Sequence, residues 1–214
     1  MLLQSEFFRV SKRYHELSDE GVLKVFVILQ IYFQRRLNVS QAAATKPAPT
    51  EHAPEFSDYV ALVAEGDIIQ TLDHQIENSL SLLRTIPSDK ADFRYAPGKW
   101  SVKELLGHVI DSERIFSYRA LSFARNDKTP LPGYEQEDYV RDADFDRRTL
   151  ADMAEEFATV RRATIQLFRP LNETEWLRHG KANENDVSVR ALAYIIAGHE
   201  LHHMGVLRSR YLES

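Results

Sequence analysis

The sequence of 214 residues contains no cysteine. Disulfides, thiolate metal sites and a nucleophile on a protein thiol are therefore excluded, and any metal ligand would be a histidine, aspartate or glutamate. Glycine and proline are scarce, at eight residues each, which favours a helical protein over a turn-rich β protein. Basic residues are not in excess, and the net charge of −5 argues against nucleic acid as a partner.

Long hydrophobic runs are also absent. The apolar stretch VLKVFVILQIYFQRR at 22–36 is too short to cross a bilayer and is interrupted by Gln30. Acidic residues such as Glu16 and Asp19 precede it, where a signal peptide would carry basic ones. We therefore predict no membrane partner and a cytoplasmic location.

The chain divides into two parts by composition. The stretch SQAAATKPAPTEHAPEFSD at 40–58 is rich in small residues and proline and shows no periodicity, as is typical of a linker. We predict that residues 1–55 form an N-terminal appendage and linker without a fixed structure, and that residues 56–214 form the folded domain.

Apolar residues recur at helical spacing in four segments of the domain and at strand spacing in none. The predicted helices run from about Ser57 to Leu83, Ser101 to Arg125, Arg148 to Leu171 and Ser188 to Leu212. The second begins most clearly, because Ser101 and Glu104 match a capping box and Trp100 can pack onto Leu105.

The segment 126–147 separates the second predicted helix from the third. About 22 extended residues reach on the order of 70 Å, enough to return along a whole helix and let the two helices run parallel. Leu131, Tyr134 and Tyr139 favour a packed lid over a disordered loop. The expected fold is all-α: a four-helix bundle with a long crossover loop between helices two and three.

Three histidines lie on faces that are expected to point into this bundle. His199 and His203 are four residues apart on an apolar stripe, and His108 occupies an inward position of the second helix. Three neutral imidazoles can hold a divalent ion and leave positions open for substrate. The alternative is that they are hydrogen-bonded core residues. His202 is expected to point away from the cluster.

His199, Glu200 and His203 also match the H-E-x-x-H pattern of zinc proteases. Such a protease needs a third ligand downstream, yet positions 206 and 209 are valine and serine, and no strand is predicted to present a substrate. Glu200 is better interpreted as a residue of the helix surface or as a hydrogen-bonding partner of a ligand ring.

No residue is a compelling general base, so the catalytic residues are not assigned. Asp111, Ser112 and Glu113 are close enough to His108 to reach the site, but the acidic ones can equally form structural ion pairs with Arg114 or helix neighbours. The remaining histidines have no partner at ligand spacing and are expected at the surface or in local hydrogen bonds: His15, His52, His74 and His179.

The segments YAPGKWSVKELLGHVIDSERIFSYRALSFARND and VSVRALAYIIAGHELHHMGVLRSRYL resemble the DinB superfamily, and the resemblance covers about residues 57–212. It implies a four-helix bundle of the DinB or YfiT-like type, often paired as a homodimer. It also implies a metal triad of His108, His199 and His203. Relatives of this kind use zinc or a similar ion to activate a low-molecular-weight thiol, or act as hydrolases.

The expected function is therefore that of a metal-dependent thiol S-transferase or related hydrolase acting on a small-molecule substrate. Zinc is the first choice for three imidazoles, although nickel, iron, manganese and cobalt suit the same ligands. The alternative is a non-catalytic helical bundle that binds a metal or a small ligand and forms dimers.

Overall fold

The computed structural model describes residues 40–212 of the chain. Its helices are α1 (Gln41–Ala44), α2 (Ser57–Leu62), α3 (Ile68–Arg84), α4 (Val102–Ala124), α5 (Gln136–Asp142), α6 (Leu150–Phe168), α7 (Glu173–Trp176) and α8 (Val189–Val206). Single 3-10 turns occupy Pro49–Glu51, Pro54–Phe56, Ser88–Lys90 and Phe145–Arg147, and a π-helical segment, Leu207–Leu212, extends α8.

The four long helices α3, α4, α6 and α8 form the predicted bundle. Around its axis α8 packs on α4, α4 on α6, α6 on α3, and α3 on α8. The core consists of two apolar clusters. One contains the first halves of α4 and α6, with Leu105 and Phe157, whereas the other contains the first halves of α3 and α8, with Leu72 and Leu192. Helices α4 and α6 therefore run in the same direction, as the length of the loop between them predicted.

A layer of polar side chains lies between the two apolar clusters. Each long helix contributes to both clusters and carries buried polar residues where it passes from one cluster to the other. These residues are Gln75 and Ser79 on α3, His108, Ser112 and Glu113 on α4, Arg161 and Thr164 on α6, and His199 and Glu200 on α8. Buried polar groups are costly without partners, so this layer is where functional chemistry is expected.

The first predicted helix is divided into α2 and α3. The chain leaves helical geometry after Leu62, and Gly66 adopts a φ of 139°, a value that disfavours other residues. Asp67 then accepts a hydrogen bond of 2.9 Å from the backbone N–H of Ile69 and starts a new helix. The prediction of one continuous helix was wrong because apolar spacing alone does not show a break of five residues.

A short antiparallel hairpin, β1 (His179–Ala182) and β2 (Asn185–Ser188), precedes α8. The prediction that the chain contains no strand was wrong here. Asn183 and Glu184 form its turn with φ values of 49° and 63°, the left-handed geometry that joins two-residue hairpins. Leu131 adds a parallel bridge beside Ala182, which attaches the long crossover loop to the hairpin.

Residues 40–56 pack against the bundle although their composition is that of a linker. Ala42 and Ala43 are buried, and Glu51 accepts hydrogen bonds from Ser188 at 2.8 Å and from Arg190 at 3.1 Å. The folded domain therefore includes residues 40–55, which are the described part of the predicted appendage. The rest of that appendage, residues 1–39, lies outside the described residues, so the division at residue 55 stays a prediction.

The other predicted helices agree with the structure. Helices α4 and α6 begin after Ser101 and Thr149, and α8 begins after Ser188, each capped by that residue's side chain. Within residues 40–212, no helix combines the length and the apolar character that crossing a bilayer requires.

Candidate metal centre

The start of α4 is fixed by the capping box that the sequence predicted. Ser101 Oγ accepts a hydrogen bond from the backbone N–H of Glu104 at 3.2 Å, and the Glu104 carboxylate accepts one from the N–H of Ser101 at 2.6 Å. Two turns further on, His108 faces the bundle interior, and the ring of Trp100 packs 4.7 Å from its ring. The cap therefore sets the helical phase that points His108 inward.

Three histidine rings meet at one point between α4 and α8. His199 Nε2 lies 3.0 Å from His108 Nε2 and 3.1 Å from His203 Nε2. The three nitrogens all fall within 4.8 Å of one another. The structure therefore brings together the three residues that the sequence singled out. His108 and His199, which are in contact, are 91 positions apart in the sequence.

Hydrogen bonds alone do not satisfy this cluster. The Nε2 atom of His199 carries either a hydrogen or a lone pair, so it cannot serve as a well-aligned donor to one neighbour and as an acceptor from the other. Two nitrogens bound tetrahedrally to one zinc ion lie about 3.3 Å apart. The observed separations of 3.0 and 3.1 Å are close to this value, so the three rings fit a shared divalent cation.

Burial keeps the three rings neutral. It lowers the pKa of His108 from 6.5 to about 4 and, with help from the neighbouring His108 and His202, lowers the pKa of His203 to about 3. The pKa of His199 falls well below its ordinary value, first because of burial and then because of the other histidines. Neutral imidazole is the form that binds a metal, so at pH 7 no proton competes for these nitrogens.

The close approach of α2 covers one side of the cluster. A Cβ atom on Gly198 would lie 1.9 Å from the backbone oxygen of Tyr59, so glycine is required for this contact. The Tyr59 ring consequently sits 5.3 Å from the His199 ring, edge to face, and Phe116 lies 5.9 Å from His199 on another side. Aromatic walls exclude water from most of the cluster while leaving access along the cavity described below.

A hydroxyl pair joins the crossover loop to the cluster. Ser112, one turn after His108 on α4, has its Oγ 3.4 Å from His108 Nδ1 and 2.8 Å from the Tyr134 hydroxyl. Nδ1 is the ring nitrogen that remains when Nε2 faces the other histidines, so Ser112 contacts the atom that orients a ligand ring. Tyr134 thereby occupies the packed position expected for a lid, whereas Tyr139 remains about half exposed at 49%.

A cavity of about 300 Å³ opens beside His199. Its walls come from the Pro54–Phe56 turn, α2, α4, the crossover loop and the β hairpin; Tyr59, Phe116, Arg119, Tyr134 and Asn183 contribute side chains. A larger cavity of about 780 Å³ lies between the end of α3 and α6 but includes none of the three histidines. The smaller cavity is the candidate site, because His199 of the histidine cluster lines it.

Glu200 is buried and belongs to a different cluster. Its carboxylate accepts a hydrogen bond from Ser79 and lies 3.5 Å from Arg161, which pairs with Glu113 at 2.8 and 2.9 Å. The expectation that Glu200 lies on the helix surface or supports a ligand ring was wrong. Because successive helical residues diverge by about 100°, Glu200 enters the core beside the histidines but not among them.

Burial raises the pKa of Glu200, and the charge of Arg161 opposes that shift. Glu113 is the stronger partner of Arg161: although burial disfavours the guanidinium charge, Glu113 and then Glu200 hold the pKa of Arg161 above its ordinary value. The H-E-x-x-H motif thus supplies two candidate ligands and a core acid, which removes the general base that a zinc protease would need.

The other polar residues near His108 have structural roles. Asp111 pairs with Arg114 at 3.3 Å, as the structural alternative anticipated, whereas Glu113 pairs with Arg161 of α6, a partner that was not anticipated. His202 is exposed, as expected. His52 makes a local contact of 2.9 Å with the oxygen of Ala53. The last two described histidines, His74 and His179, are exposed, whereas His15 lies outside the described residues.

Comparisons with known proteins place this geometry in a family. The family model of the DinB superfamily matches residues 71–207, more than half of the chain. The chain belongs to the DinB superfamily. A search of curated proteins found no match.

Among solved structures, this DinB-superfamily chain is similar to YfiT from Bacillus subtilis, which is described as a probable metal-dependent hydrolase with an unusual four-helix bundle topology. The similarity has a TM-score of 0.55 at 12% identity and covers 78% of this chain and 91% of YfiT. At this identity the likeness establishes the fold, a four-helix bundle.

Proposed function

We propose that this DinB-superfamily protein is a metal-dependent enzyme in which His108, His199 and His203 hold one divalent ion. Zinc is the first candidate, because three imidazoles with an open position are the ligand set of catalytic zinc. When bound, such an ion lowers the pKa of a thiol or water in contact with it and so makes a nucleophile available near pH 7. The observation that carries the proposal is the convergence of three Nε2 atoms at 3.0 and 3.1 Å.

The reaction that we propose is transfer of a low-molecular-weight thiol, or a related hydrolysis. The chain has no cysteine, so a sulfur nucleophile would arrive with the substrate. The residues of the chain would then act by binding and positioning: Tyr59 and Phe116 shield the site from water, and Ser112 orients the His108 ring. The Tyr134 hydroxyl, 2.8 Å from Ser112 Oγ, can pass a proton between the cavity and this pair.

The cavity beside His199 favours a catalytic role over the non-catalytic alternative. A structural metal site has a closed shell of protein ligands, whereas an enzyme needs space for substrate at the metal. A volume of about 300 Å³ in contact with His199 supports small-molecule binding there. A thiol-using enzyme suits a reducing compartment, and we propose a cytoplasmic location on that ground.

The experiment that tests the proposal is elemental analysis of untagged wild type, His199→Ala and His202→Ala proteins after identical purification. We expect about one divalent ion per chain in wild type, none in His199→Ala, and wild-type content in His202→Ala. His202 is the matched control because it is the neighbouring exposed histidine on α8. Equal metal content in the two variants would contradict the proposal.

A second measurement separates catalysis from assembly. If metal holds a homodimer together, adding chelator should dissociate it and halve the mass measured by light scattering. If the metal serves catalysis instead, the mass should stay unchanged. Metal-dependent conjugation of a thiol such as glutathione to an electrophile, lost in His203→Ala, would support the transferase. Full activity in His203→Ala would refute the role of the cluster.

A further inference from the structure

The far wall of the cavity holds a buried cation. Arg119 lies on α4, eleven residues after His108, and is only 6% exposed. Its guanidinium lies 5.7 Å from the centre of the Phe116 ring, and Phe116 in turn lies 5.9 Å from the His199 ring. Arg119, Phe116 and His199 all line the same cavity. A ligand that fills it would contact both the Arg119 side chain and His199, one of the three clustered histidines.

Within residues 40–212, most of this guanidinium is without hydrogen-bonding partners. Arg119 donates one hydrogen bond, from Nη2 to the backbone oxygen of Pro132 at 2.9 Å, although a guanidinium has five N–H groups. None of the carboxylates in residues 40–212 forms an ion pair with it. Every fully enclosed side-chain nitrogen of the described residues has a partner, so the remaining nitrogens of Arg119 are accessible, and Arg119 lines the cavity.

The other buried arginine among residues 40–212, Arg161, has partners from the chain itself. Arg161, which is fully buried, has two carboxylates and the Gln75 amide oxygen around it. Burial lowers the pKa of Arg119, which is the expected cost of a desolvated cation that lacks a carboxylate partner. An anionic ligand would remove that cost when it binds.

We propose that Arg119 binds the carboxylate of a small organic acid whose opposite end lies at the histidine cluster. A carboxylate can accept two parallel N–H bonds from a guanidinium, and its single negative charge matches Arg119, the one Lys or Arg that lines the cavity among residues 40–212. The position of the reactive end rests on the proposed function, whereas carboxylate binding by Arg119 does not require a metal.

The cavity also limits the charge of the ligand. Glu55 and Glu135 line it and are exposed at its mouth, so they repel an anion with further negative groups at that position. Phe116 and Tyr59 provide an apolar and aromatic middle section. The geometry therefore favours a monocarboxylate with an apolar or aromatic body over a phosphate or a polycarboxylate.

The test is calorimetric titration of benzoate and of its neutral analogue benzamide into chelator-treated protein. Removal of metal ensures that a carboxylate–metal bond does not contribute. We expect wild type to bind benzoate at least about tenfold more tightly than benzamide, since hydrogen bonds to a charged partner are the stronger kind. In Arg119→Met this preference should disappear.

Arg178→Met is the matched control, because Arg178 also donates to a backbone oxygen, that of Ala124, but lies outside the cavity. It should keep the wild-type preference. Arg119→Lys provides a second variant if Arg119→Met does not fold. Lysine keeps the charge but lacks the planar guanidinium that donates two parallel hydrogen bonds, so the preference for benzoate should fall severalfold. Helicity measured by circular dichroism establishes which variants are folded.

Two outcomes would overturn the proposal: no preference for benzoate in wild type, or the same preference in folded Arg119→Met. Failure of the metal proposal looks different. If wild type as purified contained no metal but preferred benzoate through Arg119 after chelator treatment, the carboxylate subsite would stand and only the metal centre would be refuted. If wild type as purified contained metal but showed no benzoate preference after chelator treatment, the metal centre would stand and the carboxylate subsite would be refuted.

Discussion

His199 and Glu200 are consecutive residues of α8 that lie in two different buried clusters. The Glu200 cluster contains opposite charges and neutral hydrogen-bonding groups, so Arg161, Glu113 and Gln75 satisfy one another. The His199 cluster contains only imidazoles, and its nitrogens face one another at 3.0 and 3.1 Å. One cluster is complete in itself, whereas the three imidazoles of the other offer lone pairs that fit a shared cation.

This difference shows how a buried polar layer can divide into a structural half and a functional half. Burial alone does not distinguish them, because Glu200 and His199 are 1% and 6% exposed. The decisive property is whether the partners of a buried group are supplied by the chain. Arg119 meets the same criterion as the histidines, since most of its donors have no partner within residues 40–212 and it lines a cavity.

The largest effect should come from breaking the complete cluster. Arg161→Met leaves the carboxylate of Glu113 buried and unpaired, so we expect the free energy of unfolding to fall by about 3–5 kcal/mol. Metal content, measured on the folded fraction, should stay at the wild-type level because Arg161 does not contact the histidines. Urea denaturation followed by circular dichroism measures the change.

Arg162→Met serves as the control for this variant, because Arg162 is the exposed neighbour on the same helix. Its free energy of unfolding should change by less than about 0.5 kcal/mol. If Arg161→Met were as stable as Arg162→Met, the ion-pair cluster would not be the structural half of the layer.

An intermediate effect should follow from acidifying the metal-free protein. The pKa of His108 is about 4 and that of His203 about 3 in the folded protein, whereas both are about 6.5 in the unfolded chain. Below about pH 6.5 the unfolded chain takes up protons that the folded protein does not bind, so stability falls as the pH decreases toward 4. Each group contributes at most about 1.4 kcal/mol per pH unit.

Urea denaturation of chelated protein at pH 7, 6 and 5 tests this expectation. The variant with both His108→Gln and His203→Gln should lose less stability than wild type over that range, since the histidines that prefer to be neutral are gone. Parallel pH profiles for the two proteins would show that the rings are not held neutral by burial.

The smallest effect concerns the orientation of one ligand ring. Ser112→Ala removes the hydroxyl 3.4 Å from His108 Nδ1, and we expect about a tenfold loss of zinc affinity in a competition assay with a chromogenic chelator. Ser117→Ala is the control, because Ser117 lies on the same helix but contacts Thr164 at 3.0 Å. Equal zinc affinities in the two variants would exclude a role for Ser112 in orienting the ring.

Much of this arrangement was predictable from local sequence patterns. The capping box at Ser101 gave the start of α4, and the spacing of His199 and His203 placed two rings on one face. The length of the 126–147 connection indicated parallel neighbours. The capping box and the histidine pair depend on residues a few positions apart, for which helical geometry fixes the relative directions of side chains.

Features that depend on contacts between distant segments were not predictable. Glu200 and Arg119 are charged residues, which are usually exposed, and their burial depends on α3, α6 and the crossover loop. The hairpin sequence HGKANENDVS has little β propensity, so its pairing with Leu131 left no periodic signal. The only local indication was Asn183, a residue that tolerates left-handed backbone geometry.

The junction between the crossover loop and the hairpin consists of main-chain hydrogen bonds. Leu131 N–H donates to Lys181 O at 2.9 Å, and Asn183 N–H donates to Leu131 O at 3.0 Å. Such bonds are independent of side-chain identity, except at Gly133, where a Cβ atom would lie 2.3 Å from the Asn183 side chain. Asn185, which lines the cavity beside this junction, can therefore be exchanged to alter the selectivity of the cavity while the main-chain bonds keep the wall in position, whereas left-handed Asn183 and buried Ala182 should be retained.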